Sequence, residues 1–245
     1  MRLYGLIGFP LGHSRSAEYF TQKFEREHID AEYRLFEIPD IGHLTALPAG
    51  IEGFNVTIPY KQAIIPHLDD IDAEALAVGA VNCVVCRCGA MKGYNTDIAG
   101  IRHTLDRMPC FNTSRALILG SGGASRAVQY VLSERGVAFD IVSRSAGRGN
   151  MTYGDLEPGM MDDYMLIINT TPAGMYPHTN EAPALPYEAL KPHHILFDAI
   201  YNPAQTLFLQ HGQQAGAYTV NGMGMFVAQA EASWRIWNDA QCLRR

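Results

Sequence analysis

Residues 115–132 read RALILGSGGASRAVQYVL, and this stretch decides the fold. Four apolar residues, Ala116–Leu119, form a strand pattern that runs directly into Gly120-Ser121-Gly122-Gly123. A helical pattern begins at once and continues through Ala124–Arg135. Small residues at such a junction let the backbone approach a pyrophosphate. The helix start offers free N–H groups and the positive end of the helix dipole. The dinucleotide-binding fingerprint is G-x-G-x-x-G, and here Ser125 fills the last position. The alternative is a tight strand-to-helix turn that holds no ligand.

The next strand pattern, Phe139–Val142, ends in Ser143-Arg144-Ser145, with Arg148 four residues beyond Arg144. An NAD site places an acid at this strand end to grip the ribose hydroxyls. Asp140 is at about the right distance downstream, but it falls inside the strand pattern, before its C-terminal end. Two guanidiniums and a hydroxyl suit a 2′-phosphate instead. The competing reading is a solvated basic turn.

Strand and helix patterns alternate on both sides of this unit. Before it come strands over Leu3–Ile7, Glu32–Ile38 and Gly53–Thr57, and a hairpin of Ala80–Cys86 with Met91–Tyr94. Helices are expected over Ser16–Glu27 and over Ile98–Arg107, the latter closed by Pro109. After it come strands Leu166–Asn169 and Ile195–Asp198 and a last helix, Met225–Trp237. The class is α/β, with parallel strands and crossover helices. A new βαβ unit near residue 115 predicts two domains, 1–98 and 99–224, with the segment 225–245 returning to the first.

The chain has 245 residues, 47% of them hydrophobic, and 19 basic against 25 acidic side chains give a net charge of −6. That balance, without a basic cluster, excludes a nucleic-acid or anionic-membrane partner. MRLYGLIGFPLGHS carries no long apolar run or small-residue cleavage site, and nothing approaches a membrane span, so a cytoplasmic location is expected. Five cysteines, an odd number, point to free thiols in a reducing compartment. Cys83, Cys86 and Cys88 (CVVCRC) have partly ligand-like spacing, but no second Cys/His pair follows at zinc-site distance, and no metal is expected.

One further stretch, FNVTIPYKQ at 54–62, sets a lone Lys61 just past a strand end in an acidic chain. Such a lysine either opens a surface helix or donates a proton, and the second role needs a carboxylate elsewhere.

With these segments placed, the chain resembles the shikimate dehydrogenase family over nearly its whole length. Gly8-Phe-Pro10-Leu-Gly-His13-Ser14-Arg-Ser16 is similar to the family's substrate loop, and Asn55-Val-Thr57-Ile-Pro59-Tyr-Lys61 to its N-V-T-x-P-x-K element. Ala80-Val81-Asn82 and Gly93-Tyr-Asn95-Thr96-Asp97 resemble the segments that supply a substrate-binding Asn and the catalytic Asp. Gly120–Arg126 resembles G-x-G-G-A-x-R, and Ser143-Arg144-Ser145-x-x-Arg148 resembles N-R-T-x-x-R with Ser for Asn and Ser for Thr. Asn169-Thr-Thr-Pro-Ala-Gly174-Met175, Asp198-Ala-Ile-Tyr201-Asn202-Pro203 and Gly222-Met-Gly224-Met-Phe-Val-Ala-Gln229 complete the set.

The resemblance implies an N-terminal α/β substrate domain, a Rossmann-like NADP-binding domain with a parallel sheet, and an active site in the interdomain cleft. It implies reversible NADP-dependent reduction of 3-dehydroshikimate to shikimate, within the pathway to chorismate and the aromatic amino acids. Lys61 and Asp97 would be catalytic; Ser14, Ser16, Thr57, Asn82, Tyr201 and Gln229 would bind substrate. Gly120, Ser121, Gly122, Gly123 and Ala124 would hold the cofactor's phosphates, and Ser143, Arg144, Ser145 and Arg148 its adenosine end. Thr170, Ile200 and Gly222 would face its nicotinamide half. His13 is read as a loop residue that positions the serines or caps backbone, and the chain as a monomer or homodimer. Between Arg148 and Met165 the chain is shorter than the family's, which fits a longer helix there, and Ala17 replaces a proline. A quinate dehydrogenase using NAD and a catalytically silent shikimate-binding homologue are the rival readings. Retention of both Lys61 and Asp97 argues against the silent one.

Overall fold

A computed structural model describes residues 1–12, 14–108 and 115–239. His13, Pro109 and the last six residues of the expected C-terminal segment lie outside the described residues. The chain divides into two compact units, residues 1–96 with 229–245, and residues 97–228.

The first unit contains β1 (Arg2–Gly8), α1 (Ser16–Arg26), β2 (Ala31–Glu37), β3 (Ile51–Val56), β4 (Asp70–Ile71), α2 (Ala73–Val78), β5 (Cys83–Arg87) and β6 (Ala90–Tyr94). Its sheet runs β2-β1-β3-β5-β6-β4. Strand β1 is parallel to β2 and β3, whereas β5 is antiparallel to β3 and β6. The two-residue turn of the β5–β6 hairpin is Cys88-Gly89, with φ of 50° and 81°. Two successive positive φ values are what a type I′ turn requires, and its twist matches that of the strands. The CVVCRC segment is therefore strand and turn. Aromatic packing fills one face of the sheet: Phe20 stacks on Tyr33 at 4.5 Å and Tyr4 on Trp237 at 4.8 Å. A Cβ on Gly53 would lie 2.4 Å from the Trp237 indole, so only glycine lets that ring rest on β3.

The second unit contains α3 (Asp97–Leu105), β7 (Arg115–Leu119), α4 (Gly123–Glu134), β8 (Ala138–Ser143), β9 (Met151–Thr152), β10 (Leu166–Asn169), β11 (Ile195–Asp198), α5 (Leu207–Gln214) and β12 (Tyr218–Val220). Helix α6 (Met223–Asn238) starts here and ends in the first unit. All neighbouring strands are parallel, in the order β12-β11-β10-β7-β8-β9. This is the doubly wound dinucleotide-binding order, with its reversal between β7 and β10. Both strands that flank the reversal are fully covered: Ala116–Leu119 and Leu166–Ile168 are apolar and 0% exposed, as parallel strands buried on two faces must be.

The structure departs from the sequence reading in several places. Lys61 does not open a helix. It starts a turn that passes into a short 3₁₀ segment, Ile65–His67, where Pro66 removes a backbone donor. The hairpin strand begins at Cys83 rather than Ala80: the Ala80 carbonyl accepts from the Asn95 amide, and the Val81 N–H donates to Lys61 O, outside the ladder. In the short 149–164 segment, two 3₁₀ turns, Tyr153–Asp155 and Pro158–Asp163, stand where a longer helix was expected of the family. Strands β4, β9 and β12 and helices α2 and α5 were not read from the sequence. Most are too short to show a period. No helix among the described residues is long and apolar enough to cross a membrane.

Candidate active site

In the first unit the site residues gather at the C-terminal ends of β1 and β3. The Thr57 N–H donates to Ile7 O (2.9 Å) and the Phe9 N–H to Ile58 O (3.1 Å), which ties the loop after β1 to the turn after β3. A Cβ on Gly8 would come within 2.5 Å of Thr57 Cγ2, so the two segments touch there only because residue 8 is glycine. In the first loop the Ser16 N–H donates to Ser14 Oγ at 3.3 Å, and Ser16 begins α1. Ser14, Thr57 and Lys61 are half-buried and Ser16 is 9% exposed.

Lys61 is held through its backbone: its carbonyl accepts from the Val81 N–H at 2.7 Å. The next residue, Asn82, is buried, and its Oδ1 accepts from the Thr96 N–H (2.6 Å) and hydroxyl (3.1 Å). The Thr96 hydroxyl also lies 3.3 Å from Gln229 Oε1 and 3.1 Å from Ser233 Oγ. Behind them, Asn55 accepts from the Tyr33 hydroxyl (2.9 Å) and donates to Asn82 O (3.1 Å) and Ser233 Oγ (2.8 Å). One buried polar network thus fixes Asn82 and Gln229, and Asn55, Thr96 and Ser233 are its inner members. Sequence reading had not singled out these three as support. The signal was there for Asn55, an amide inside an otherwise apolar strand, which must find partners when buried.

In the second unit, Asp97 is the first residue of α3 and 4% exposed. The Tyr201 ring packs against Phe226 with centroids 4.6 Å apart and planes tilted by 33°. The glycine loop follows β7 at the point where strand order reverses. Gly120 has φ of +106°, and its missing Cβ would lie 2.8 Å from Thr170 Oγ1. The Thr170 hydroxyl and N–H both donate to Leu119 O, at 2.7 and 2.9 Å, which closes the loop against β10. Gly122 is different: no atom lies within 4 Å of a Cβ built there, and it precedes α4 as its cap. That open cradle at a helix N-terminus fits a pyrophosphate. Ser125 is fully buried and accepts from Gln129 Nε2 at 3.0 Å, so a small polar residue replaces the third glycine at the helix–strand contact.

At the end of β8, Arg144, Ser145 and Arg148 are exposed. The Ser143 hydroxyl is spent on Ser145 O at 2.5 Å, so Ser143 shapes the turn from within. Asp140 lies mid-strand. It takes hydrogen bonds from Arg115 (2.8 Å), Tyr164 (2.7 Å) and Asn150. Burial alone would raise the pKa of this carboxyl, but the bonds from Tyr164, Asn150 and Arg115 outweigh it and hold the value below the ordinary one. Asp140 is a structural acid. Gly222 donates to Ile200 O at 2.9 Å, and a Cβ there would meet Ala199 O at 2.1 Å.

Among the described residues, Asp162, His193 and His194 form the one group with metal-ligand proximity. Lys191 occupies Asp162 at 2.5 Å, and the two ring nitrogens of His194 face Lys191 and Met161 backbone groups.

A doubly wound parallel sheet with a glycine loop at its switch point, joined to a second α/β unit that carries a lysine and a hydroxyl cluster, defines a two-domain dinucleotide-dependent enzyme. Residues 6–84 match the shikimate dehydrogenase substrate binding domain. A shikimate dehydrogenase (NADP(+)) of Shouchella clausii is 37% identical over all of this chain and 97% of its own length. The chain belongs to the shikimate dehydrogenase family. A crystal structure of the Thermus thermophilus shikimate 5-dehydrogenase in complex with NADP(H) and shikimate superposes with a TM-score of 0.85 at 28% identity, over 97% of this chain and 93% of that one. A quinate dehydrogenase from Corynebacterium glutamicum in complex with NAD gives 0.86 at 27% identity, over 97% and 93%.

Proposed function

We propose that this chain catalyses the reversible NADP-dependent reduction of 3-dehydroshikimate to shikimate, a step toward chorismate and the aromatic amino acids. The observation that carries the reading is the match along the full chain to curated NADP-dependent shikimate dehydrogenases, at 37% identity for the relative from Shouchella clausii. The glycine cradle at the switch point is its physical counterpart.

NADPH, when bound, supplies the hydride. The protein must orient the substrate and manage one proton. As the carbonyl oxygen of 3-dehydroshikimate gains negative charge, the Lys61 ammonium stabilises it and donates the proton, and in the reverse direction it takes the proton back. Asp97 supports that ammonium and the reacting hydroxyl. Ser14, Ser16 and Thr57 donate hydroxyl bonds to the substrate carboxylate, and Tyr201 adds a phenol. Asn82 and Gln229 take the ring hydroxyls, since an amide both donates and accepts. Gly120, Ser121, Gly122, Gly123 and Ala124 present backbone N–H groups to the pyrophosphate. Arg144, Ser145 and Arg148 take the 2′-phosphate, on a turn shaped by Ser143. Thr170, Ile200 and Gly222 line the nicotinamide half.

A second reading has one observation in its favour: a quinate dehydrogenase in complex with NAD superposes at a TM-score of 0.86. Steady-state assays with shikimate and quinate, each with NADP+ and NAD+, separate the two. The highest kcat/KM is expected for shikimate with NADP+. A higher value for quinate with NAD+ would replace this reading with the second.

A further inference from the structure

Strands β10 and β11 end side by side, with Asn169 opposite Asp198 in the register, and both residues are 0% exposed. A carboxylate buried so completely needs donors, and Asp198 has three. Its Oδ1 accepts from the Asn169 amide and the Ile200 N–H, each at 3.0 Å, and its Oδ2 accepts from the Thr206 hydroxyl at 2.5 Å. All three donors are neutral, so among the described residues no ion pair compensates the buried charge. Burial accordingly pushes this carboxyl up to about 6, against the pull of the bonds from Thr206, Ile200 and Asn169.

Each donor belongs to a different segment. Asn169 turns its own Oδ1 to the Thr171 N–H (3.0 Å) and hydroxyl (2.7 Å), and so dictates the start of the loop after β10. Ile200 is the second residue of the loop after β11, and its carbonyl accepts from the Gly222 N–H. Thr206 caps α5 through Leu209 N at 3.4 Å. Gly174 closes the first loop at φ of +95°, where a Cβ would lie 3.3 Å from Thr206 Cβ.

We infer that Asp198 is a positioning residue for cofactor binding: its carboxylate clamps the loops 170–174 and 199–203 in the one arrangement that receives the nicotinamide half. The inference rests on the proposed NADP site, in which Thr170 and Ile200 face that half. Asp198 touches neither ligand. It acts through Asn169, Thr206 and the Ile200 backbone, much as the outer partners of a metal ligand orient it. A buried acid without a counter-charge is an unfavourable way to hold two loops merely for stability.

The test uses the whole enzyme with Asp198→Asn, which keeps the shape and removes the charge, and Thr206→Val, which removes one donor. NADP+ affinity is measured by fluorescence titration, and KM for NADP+ and for shikimate by initial rates. In both variants Kd and KM for NADP+ should rise about tenfold, the scale of losing one bond to a charged group. KM for shikimate should stay within about twofold of the parent. An unchanged Kd for NADP+, or a rise in both KM values together, overturns the inference. If Asp198→Asn does not fold, Thr206→Val decides alone, and unfolding of both shows a purely structural clamp and overturns it too. Absence of shikimate-dependent turnover in the parent is a separate result, and it counts against the proposed function instead.

Discussion

Gly122→Ala separates a working phosphate cradle from a mere chain turn. The backbone at Gly122 has φ of −83°, which any residue adopts, and a Cβ there meets nothing within 4 Å. Alanine reduces the freedom of the unfolded chain by about 0.4–1 kcal/mol, and it is a poorer helix cap by a similar amount. These terms nearly cancel, so Tm should shift by no more than about 2 °C. The methyl group instead occupies the space through which the backbone approaches the pyrophosphate. Losing one or two N–H bonds to a charged group costs about 1.5–3 kcal/mol each. KM for NADP+ should rise at least tenfold, with KM for shikimate little changed. Gly120→Ala provides the contrast, since φ of +106° and the 2.8 Å approach to Thr170 Oγ1 strain the fold itself. That variant should lose about 1–3 kcal/mol of stability. Thermal melting and initial rates on both proteins read the two effects apart. A Gly122→Ala enzyme with the parent's KM for NADP+ would refute the cradle and leave a turn that binds nothing.

Lys61→Ala should cut kcat at least about a hundredfold, the scale of a lost general acid, while shikimate binding changes far less. The double variant with Asp97→Asn should be little worse than the worse single one, because groups that act as a unit are not additive. Multiplying losses would separate them. Arg144→Asp should reverse the preference for NADP+ over NAD+ in kcat/KM, and an unaltered ratio would make that turn a solvated surface. Asn55→Ala removes the buried bonds that Asn55 makes with the Tyr33 hydroxyl, Asn82 O and Ser233 Oγ. It should cost about 2–3 kcal/mol and lower Tm by about 4–12 °C; an unchanged Tm would dissolve the network. Asp198, raised to about 6 in the folded protein, binds its proton more tightly there than in the unfolded chain, whose value is near 4. Its contribution favours the fold below about pH 4 and is lost as pH rises through 6. Compared with Asp198→Asn, the parent should therefore gain stability on acidification from neutral pH toward pH 5, and a constant offset between the two melting curves would contradict the burial.

The residues that make the fold legible are those whose local chemistry has only one use. Gly120 and Gly122 stand between a four-residue apolar strand and a helix, and β10 and β11 are each three buried apolar residues followed by one polar residue. Their positions followed from pattern alone. Lys61 was legible as a residue in need of explanation but not as part of a turn, because Pro66, five residues on, decides against the helix. The supporting polar network was less visible. Asn55, Thr96 and Ser233 are far apart in the chain, and nothing local says that their side chains meet. Asp198 was read as a strand end, and only its complete burial with three neutral donors gives it a purpose. Ser143 shows the converse. It sits where a relative's asparagine would face the cofactor, but its hydroxyl turns back on Ser145.

The claim at the centre of this account is hydride transfer to the carbonyl carbon of 3-dehydroshikimate. The direct test supplies the enzyme with 3-dehydroshikimate and each of the two stereospecifically deuterated forms of NADPH, and follows the label by mass spectrometry. One of the two forms should give shikimate carrying the deuterium on the reduced carbon, in step with NADP+ formation. The other should give unlabelled shikimate. Label in neither product, or no shikimate formed at all, would contradict the account.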